Sequence, residues 1–368
     1  MRLWNPATGR APRTLLPADI GAPGGVTAVA FSPDSKLLAS ADADGTARLW
    51  NPATGKPVRA LLTALLPAGT GPRDGVTAVA FSRDGKLLAT ADIDGYVWLW
   101  NPATGKPVRV PFPADIGAPG GVTAVAFSPD GKLLASAGGD GTARLWNPAT
   151  GQPVRAPLEV GAGTEFGVRG VAFSSDGKLL ATAGSDGTVR LWNPVSRQLV
   201  RTLLPAGIGP GVGVRGVAFS SDGKLLATAG SDGTVRLWNP ATGQPVRALL
   251  LAGTGPRGGV TAVAFSRDGK LLAAAGGDGT VRLWNPATGQ PVDAPLPAGT
   301  GPRGGVTAVA FSPDGKLLAS AGADGIVRTW QVSLFADPYA ALCADVGPPT
   351  KANWMQYAPG EPQPSVCG

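Results

Sequence analysis

Side chains that could perform acid–base, nucleophilic or metal chemistry are scarce in this chain of 368 residues. It has no histidine, the side chain that most often serves as general base or metal ligand near neutral pH. Its two cysteines, Cys343 and Cys367, both lie close to the C-terminus, so neither a dispersed disulfide framework nor a paired CxxC zinc site can form. The composition therefore predicts a protein that is not an enzyme and that has no metal site or cofactor.

Two short motifs have the letters of a ligand site without its context. The segment Gly253–Gly258 fits the spacing G-x-G-x-x-G, but that motif binds a nucleotide only when a helix follows it, and here an apolar strand pattern follows. The segment Asp42–Gly45 begins like a calcium loop but lacks the later oxygen ligands and the bidentate Glu. We interpret the first as a surface loop and the second as a hairpin turn.

The positive charge of the chain is spread evenly. Its formal net charge is +7, and the basic residues recur with the repeat described below, as at Lys36, Lys86 and Lys132. A nucleic-acid site needs a local basic patch with stacking aromatics, whereas aromatic residues make up 6% of the chain. Nucleic acid is therefore not an expected partner. No long apolar run and no signal-peptide pattern is present, and we expect a cytoplasmic monomer without membrane contact.

Tryptophan recurs at a nearly constant interval. Successive members are 46 residues apart, with one interval of 50. With 55 glycines and 36 prolines, about a quarter of the chain, each repeat must be rich in turns. The repeated tryptophans are Trp4, Trp50, Trp100, Trp146, Trp192, Trp238, Trp284 and Trp330.

Each repeat is predicted to form four short antiparallel strands. In the first repeat these are Val26–Phe31, Leu37–Ala41, Ala47–Trp50 and Val58–Leu62, separated by turns rich in Asp, Gly, Asn and Pro. A sheet of this size cannot bury both faces alone, so neighbouring repeats must stack on it, and seven copies predict a closed all-β ring. The seventh repeat has no outer strand of its own, and we expect Ala11–Leu16 to fill that place.

The repeated block F-S-x-D-G-K-L-L-A-[ST]-x-x-x-D-G-x-[VA]-R-L-W-N resembles the WD-repeat family of β-propellers over residues 2–332. The resemblance implies a seven-bladed β-propeller of four-stranded antiparallel blades. It also implies a structural hydrogen-bond network in each blade that joins a Trp, a Ser or Thr, an Asp and a His. The positions that match the Asp are Asp44, Asp94, Asp140, Asp186, Asp232, Asp278 and Asp324. Those that match the hydroxyl are Ser40, Thr90, Ser136, Thr182, Thr228 and Ser320, with Ala274 as the exception.

Two departures from the family's pattern concern this network. The His is absent, and the terminal Trp-Asp has become Trp-Asn. A buried acceptor that loses its donor costs about 1 to 3 kcal/mol unless another donor replaces it. We therefore expect the backbone amides of each turn to hold its Asp.

The chain is predicted to have two parts. Residues 1–332 form the propeller, with residues 11–16 as the outer strand of its last blade, and residues 333–368 form a C-terminal extension that packs on it. The extension is expected to be helical or irregular, with short helices at Asp337–Asp345 and Thr350–Tyr357. Cys343 and Cys367 either form a disulfide or remain two free thiols. The extension resembles those that follow WD-repeat regions in large actinobacterial signalling proteins.

Residues that break the repeat are the candidate partner-binding residues, because folding explains the repeated ones. In the family, the starts of the inner strands and the turns between the second and third strands share the face that usually docks partners. Aromatic and arginine side chains are the types that anchor interfaces; neutral drift of recent repeats is the alternative explanation. The candidates are Ile93, Tyr96, Trp98, Glu165, Phe166, Arg169, Arg215, Arg73, Arg257 and Arg303.

These observations predict a non-catalytic scaffold or sensor module that binds a protein or peptide partner on one face of the propeller. We expect it to be the C-terminal part of a larger bacterial signalling protein. The alternative is a lectin-like propeller that binds small ligands such as glycans in several equivalent pockets between blades.

Overall fold

Regular turns divide the chain of this computed structural model into short strands. Within the ranges that the structure describes, every regular element is a β-strand. The two predicted helices and the Cys343–Cys367 pair lie outside these ranges. The described residues are 14–17, 25–63, 75–115, 120–160, 167–203, 213–251, 259–292, 294–299 and 304–332.

The strands form seven sheets, which we number as blades one to seven along the chain. The first strand is β1 (Thr14–Pro17). Blade one contains β2 (Val26–Phe31), β3 (Leu38–Asp42), β4 (Thr46–Trp50) and β5 (Pro57–Thr63). Blade two contains β6 (Val76–Phe81), β7 (Leu88–Asp92), β8 (Tyr96–Asn101), β9 (Lys106–Pro107) and β10 (Phe112–Pro113). Blade three contains β11 (Val122–Phe127), β12 (Leu134–Gly138), β13 (Thr142–Trp146) and β14 (Leu158–Glu159). Blade four contains β15 (Val168–Phe173), β16 (Leu180–Gly184), β17 (Val189–Trp192) and β18 (Leu199–Leu203). Blade five contains β19 (Val214–Phe219), β20 (Leu226–Gly230), β21 (Thr234–Trp238) and β22 (Pro245–Leu251). Blade six contains β23 (Val260–Phe265), β24 (Leu272–Gly276), β25 (Thr280–Trp284) and β26 (Leu296–Pro297). Blade seven contains β27 (Val306–Phe311), β28 (Leu317–Gly322) and β29 (Ile326–Gln331), together with β1.

The turn between the first and second strands is built by its own side chains. In blade one, Ser32 Oγ donates to Asp34 Oδ1 at 2.6 Å, and the N–H of Leu37 donates to Ser32 Oγ at 2.9 Å. The N–H of Lys36 donates to the same Asp34 oxygen at 3.1 Å. Equivalent contacts recur in the other six blades. The Ser-x-Asp pair thus fixes this turn in every copy of the repeat.

The core of the protein lies between the blades. The second strand of each blade is buried along its whole length, and a cluster of apolar side chains fills each interface between neighbours. Between blades four and five, Leu191 and Leu203 pack with Val214, Leu226 and Trp238. Burial of one such side chain stabilises the fold by about 1.5 to 3 kcal/mol, so each blade depends on both of its neighbours.

Proline decides the length of the outer strand. The outer strands of blades one, four and five have five to seven residues, whereas those of blades two, three and six pair in pieces of two residues. Pro111, Pro157 and Pro295 interrupt the latter three, because proline has no N–H to give to the ladder.

The outer strand of blade seven comes from the other end of the chain. β1 pairs antiparallel with β29, from Thr14 opposite Thr329 to Pro17 opposite Ile326. The side chain of Leu16 is fully buried in the cluster between blades seven and one. β1 therefore completes a four-stranded sheet and covers its edge.

Two hydrogen bonds also join blade seven to blade one. Thr307 Oγ1 donates to the carbonyl of Val26 at 2.5 Å, and the N–H of Asp314 donates to Ser35 Oγ at 3.0 Å. The prediction of an all-β, seven-bladed propeller closed by the N-terminal strand is confirmed. Residues 11–13 of the predicted closing segment lie outside the described residues.

Candidate partner-binding face

One end of the propeller carries the starts of the inner strands and the turns between the second and third strands. In blade one, the N–H of Ala43 donates to the carbonyl of Gly25 at 2.9 Å, and Ile93 and Gly75 make the same bond in blade two at 3.1 Å. All seven blades repeat it. We call this end the upper face. It consists of the upper turns 42–46, 92–96, 138–142, 184–188, 230–234, 276–280 and 322–326 and of Gly25, Gly75, Gly121, Gly167, Gly213, Gly259 and Gly305.

The glycine before each inner strand lets one blade rest on the upper turn of the preceding blade. At Gly121 φ is 55°, and an added Cβ would overlap the carbonyl of Ile93. At Gly75 an added Cβ would lie 3.6 Å from the carbonyl oxygen of Ala43, an ordinary contact. The backbone of blade three is therefore seated more closely on blade two than that of blade two is on blade one.

A threonine in the inner strand joins neighbouring blades. Thr27 Oγ1 donates to the carbonyl of Val76 in the next blade at 2.6 Å. In blades four and five, Arg169 and Arg215 stand at this position, so the hydroxyl is missing there. Both arginine side chains are exposed, and no acidic side chain among the described residues forms an ion pair with either. The threonines that make the bond are Thr27, Thr77, Thr123, Thr261 and Thr307.

Each upper turn carries an aspartate, and in six blades an arginine of the third strand binds it. In blade one, the N–H of Thr46 donates to Asp44 Oδ1 at 2.9 Å, and Arg48 Nη2 donates to Asp44 Oδ2 at 2.8 Å. The turn amide holds the aspartate in these six blades, as predicted. The prediction is wrong for Asp94 in blade two, where the N–H of Tyr96 goes to Asp92 instead. The arginine was not predicted, although the repeated block contains it four positions after the aspartate. The other pairs, with N–O distances of 2.7 to 2.9 Å, are Arg144–Asp140, Arg190–Asp186, Arg236–Asp232, Arg282–Asp278 and Arg328–Asp324.

In blade one the arginine serves two carboxylates. Arg48 Nη1 binds Asp42, whose side chain is completely buried, while Nη2 binds Asp44. Burial alone would raise the pKa of Asp44, but hydrogen bonds from Thr46 and Arg48 outweigh it and hold that pKa below its ordinary value. Both carboxylates of this turn are therefore paired with an arginine of the same blade.

The hydrogen bond between the repeat tryptophan and a Ser or Thr hydroxyl is present although the chain has no histidine. Trp50 Nε1 donates to Ser40 Oγ at 3.1 Å, and five other blades make the same bond to serine or threonine. In blade six, Ala274 offers no hydroxyl to Trp284. An Asn follows the tryptophan in six blades, with Gln331 in blade seven, and it stabilises the next turn, as Asn51 Oδ1 does by accepting the N–H of Ala53 at 2.9 Å. The Asn that replaces the Asp of the family's Trp-Asp pair thus stabilises a turn.

Blade two departs from this scheme. Trp98 replaces the arginine, stacks on Trp100 with ring centroids 5.8 Å apart, and donates its Nε1–H to Asp92 Oδ2 at 3.1 Å. The N–H of Tyr96 also goes to Asp92, at 2.8 Å, and not to Asp94. Burial raises the pKa of Asp92, and these hydrogen bonds offset it only in part. No arginine among the described residues forms an ion pair with Asp94.

The repeat geometry agrees with a comparison against family models. The model of the WD domain, G-beta repeat, matches residues 16–51, 65–101, 106–147, 156–193, 198–239, 244–285 and 296–331. The chain belongs to the WD-repeat family. A comparison with curated proteins found no match. WD-repeat propellers generally mediate protein–protein interactions and are typically not catalytic. The described residues include no helix that is long and apolar enough to cross a membrane.

Blade two of this WD-repeat propeller contributes three of the predicted partner-binding residues. Ile93 is 40% exposed in the upper turn, Tyr96 is half-buried, and Trp98 is only 6% exposed. The indole of Trp98 is thus part of the core, and it acts on the upper face through Asp92 instead of offering a surface ring.

The remaining predicted residues divide into two groups. Arg169 and Arg215 lie exposed on the upper face, and Arg169 Nε donates to Ser185 Oγ at 2.9 Å. Glu165, Phe166, Arg73, Arg257 and Arg303 lie outside the described residues. The structure therefore brings Ile93, Tyr96, Arg169 and Arg215 to one face of the WD-repeat ring.

Sequence reasoning missed Asp115, a carboxylate that links two blades. This residue follows the outer strand of blade two and is 3% exposed. Its Oδ2 accepts the N–H of Asp140 in the upper turn of blade three at 3.3 Å. Burial and the charge of Asp140 raise the pKa of Asp115. Because the contact joins two blades, no pattern inside one repeat could have revealed it.

The opposite end of the propeller, the lower face, carries recurring clefts between blades. One cleft of about 320 Å³ is lined by Ser128, Pro129 and Asp130 of blade three and by Asp176 and other residues of blade four. A cleft of about 360 Å³ lies at the equivalent position between blades six and seven. The repeat thus generates similar concave sites on this face.

Proposed function

We propose that this chain is a non-catalytic scaffold or sensor module that binds a protein or peptide partner on its upper face. The observation that carries the proposal is the exchange of threonine for arginine at Arg169 and Arg215, on two neighbouring blades. Threonine at this position makes an inter-blade hydrogen bond worth about 0.5 to 1.5 kcal/mol. The exchange gives up that bond and presents a guanidinium group to solvent. Folding does not account for it, whereas binding does, since arginine is a frequent interface anchor.

The upper face is suited to docking because its turns are already ordered. Each turn is held by its own hydrogen bonds and rests on the glycine of the next blade. A partner that binds such a surface loses little loop entropy from the propeller side. An interface of ordinary size would bury about 1,200 to 2,000 Å² in total, which requires contacts with several blades.

Site-specific photo-crosslinking in a lysate of the source organism tests this proposal. A photoreactive amino acid at Ile93 or Arg215 would report contacts on the upper face, and the same group at Val195 provides the control. Val195 is 80% exposed on the lower face, in a turn that also breaks the repeat. We expect one partner to be crosslinked from both upper positions and not from Val195. Crosslinking of the same partner from Val195 alone would contradict the proposal.

We further propose that the module is a cytoplasmic monomer and the C-terminal part of a larger bacterial signalling protein. The likeness of residues 333–368 to the extensions of actinobacterial signalling proteins supports this placement. Reading the coding region upstream in the source genome tests it. An open reading frame that continues into a kinase or NTPase domain is the expected result, and a stop codon directly before Met1 would contradict it.

A second candidate function is multivalent binding of small ligands such as glycans. The equivalent clefts between blades three and four and between blades six and seven favour it. Calorimetry with a glycan panel distinguishes the two functions. Binding of more than one ligand per chain would support this second candidate, and a one-to-one complex with a protein would support the first.

A further inference from the structure

The upper turn of blade two differs from the other six in its balance of charge. Every other upper-turn aspartate has an arginine nitrogen within 2.9 Å. In blade two, Trp98 occupies the position of that arginine. Among the residues that the structure describes, no cation lies within ion-pair distance of Asp94. Asp92 adds a second carboxylate to the same turn, where blade one uses Arg48 for both.

The hydrogen bonds of this turn also bypass Asp94. The N–H of residue 96, which goes to the turn aspartate in other blades, goes to Asp92 instead. Tyr96 has no aliphatic hydroxyl to replace the one that Thr46 gives to Asp44. Asp94 Oδ2 is buried and has no hydrogen-bond partner, and the residue as a whole is partly exposed, so a donor from solvent reaches this carboxylate only through its exposed part. A carboxylate in this state gains more from an added donor than one already paired.

The six paired blades show which donor fits this carboxylate. In each of them a guanidinium approaches the aspartate from the third strand with a charge-assisted hydrogen bond. In blade two the indole of Trp98 fills that approach and reaches Asp92. Among the described residues, blade two offers no guanidinium to Asp94, so a bound partner could supply one. The neighbouring Ile93 is exposed to 40% and offers an apolar surface for the aliphatic stem of an arginine.

We propose that the upper turn of blade two binds an arginine side chain of the docked partner, with Asp94 accepting the guanidinium and Ile93 contacting its stem. This inference rests on the proposed upper-face function and specifies the chemistry of one contact. The partner segment is an arginine-bearing peptide, and charge complementarity with a turn of two acids and no base selects it. Arg169 and Arg215, on other blades, would repel an arginine placed near them and so restrict where it docks.

A displayed library of random dodecapeptides, selected on the chain of 368 residues, tests the inference. We expect arginine to be enriched among the selected sequences. Calorimetry on the selected peptides should show at least a tenfold weaker affinity for Asp94→Asn and for Trp98→Arg, which supplies the missing guanidinium from within. Replacement of the peptide arginine by citrulline, which is neutral and of similar shape, should cause a similar loss in wild type.

Two comparisons keep this test decisive. Asp44→Asn in blade one removes a paired aspartate of the same kind and should leave peptide affinity within twofold of wild type. Thermal melting followed by circular dichroism identifies any variant that fails to fold, and Asp94→Asn, which changes one atom, remains informative if Trp98→Arg does not fold. Selected peptides without arginine enrichment, or with unchanged affinity for Asp94→Asn, would overturn the inference. Upper-face crosslinking at Arg215 would persist in that case, so the proposed function would stand separately.

Discussion

Blades one and two share an Asp-x-Asp-Gly upper turn, but they treat its two negative charges differently. In blade one, Arg48 binds both Asp42 and Asp44. In blade two, Trp98 gives one hydrogen bond to Asp92 and none to Asp94. One position in the third strand thus decides whether an arginine of the same blade pairs with the turn aspartate. The ring tolerates the loss of this arginine–aspartate pair in one blade, because the other six blades keep it.

The largest expected effect comes from breaking the blade-one arrangement. Arg48→Ala leaves Asp42 buried without its cation, and removal of one partner of a buried ion pair costs about 3 kcal/mol. Arg190→Ala is the control, because its ion-pair partner Asp186 is partly exposed, and its loss should cost about 1 kcal/mol or less. Urea unfolding at pH 7 measures both. Equal losses would show that Asp42 does not depend on Arg48.

The glycines under the two turns should differ almost as strongly. Gly121→Ala places a Cβ into the Ile93 carbonyl at positive φ, and we expect a loss of about 2 kcal/mol or more. Gly75→Ala meets Ala43 at an ordinary distance and should change stability by less than about 1 kcal/mol. Thermal unfolding of the two variants tests this, and a similar fall in Tm would contradict it.

The tryptophan hydrogen bond should behave alike in both blades. Ser40→Ala and Thr90→Val, which keeps the threonine methyl, each leave a buried indole N–H without its acceptor, at a cost of about 1 to 2 kcal/mol. Ala274→Ser adds the missing hydroxyl to blade six and should stabilise it. Urea midpoints measure all three. Unequal losses in blades one and two would mean that their difference extends beyond the charged turn.

The smallest expected effect is on how the free energy of unfolding depends on pH. The lowered pKa of Asp44 means that its contribution to stability is present above the unfolded value of about 4 and is lost as pH falls through the folded pKa. The raised pKa of Asp92 means that its contribution is full below about pH 4 and is lost as pH rises through the folded pKa. Relative to wild type, Asp44→Asn should therefore lose stability as pH rises, and Asp92→Asn should gain stability as pH rises.

Urea unfolding between pH 3 and 7 measures these opposite trends. Asn removes the titration at either position, so each variant is compared with wild type at the same pH. Parallel pH profiles for the two variants would contradict the assignment of opposite pKa shifts.

Most of the fold could be predicted from the interval between tryptophans and from the residues that form turns. The tryptophan interval predicted the number of blades, and the missing outer strand after Val332 predicted the closure by the N-terminal segment. Asp-Gly and Asn turns predicted the meander, because these residues favour tight turns through their own backbone. Pro111, which shortens an outer strand, could have been interpreted in the same way.

The candidate site was less predictable, because its contacts cross between blades or depend on burial. Thr27 reaches Val76 only because the inner strands lie side by side, and no pattern inside one repeat gives that spacing. The burial of Trp98 had a signal, since it lies two residues from Trp100 and so faces the same side of the strand. Its stacking on Trp100 confirms that geometry.

The likeness of the inner strands has a consequence for assembly. The sequence VTAVAF is shared by Val26–Phe31, Val76–Phe81, Val122–Phe127, Val260–Phe265 and Val306–Phe311. The inner strands of these five blades therefore do not distinguish one neighbouring copy from another, and the length of the connecting chain contributes to that choice. The inner strands thus do not set the order of these blades around the ring. An identical inner strand from a second chain could take the same place, which would give a domain-swapped assembly.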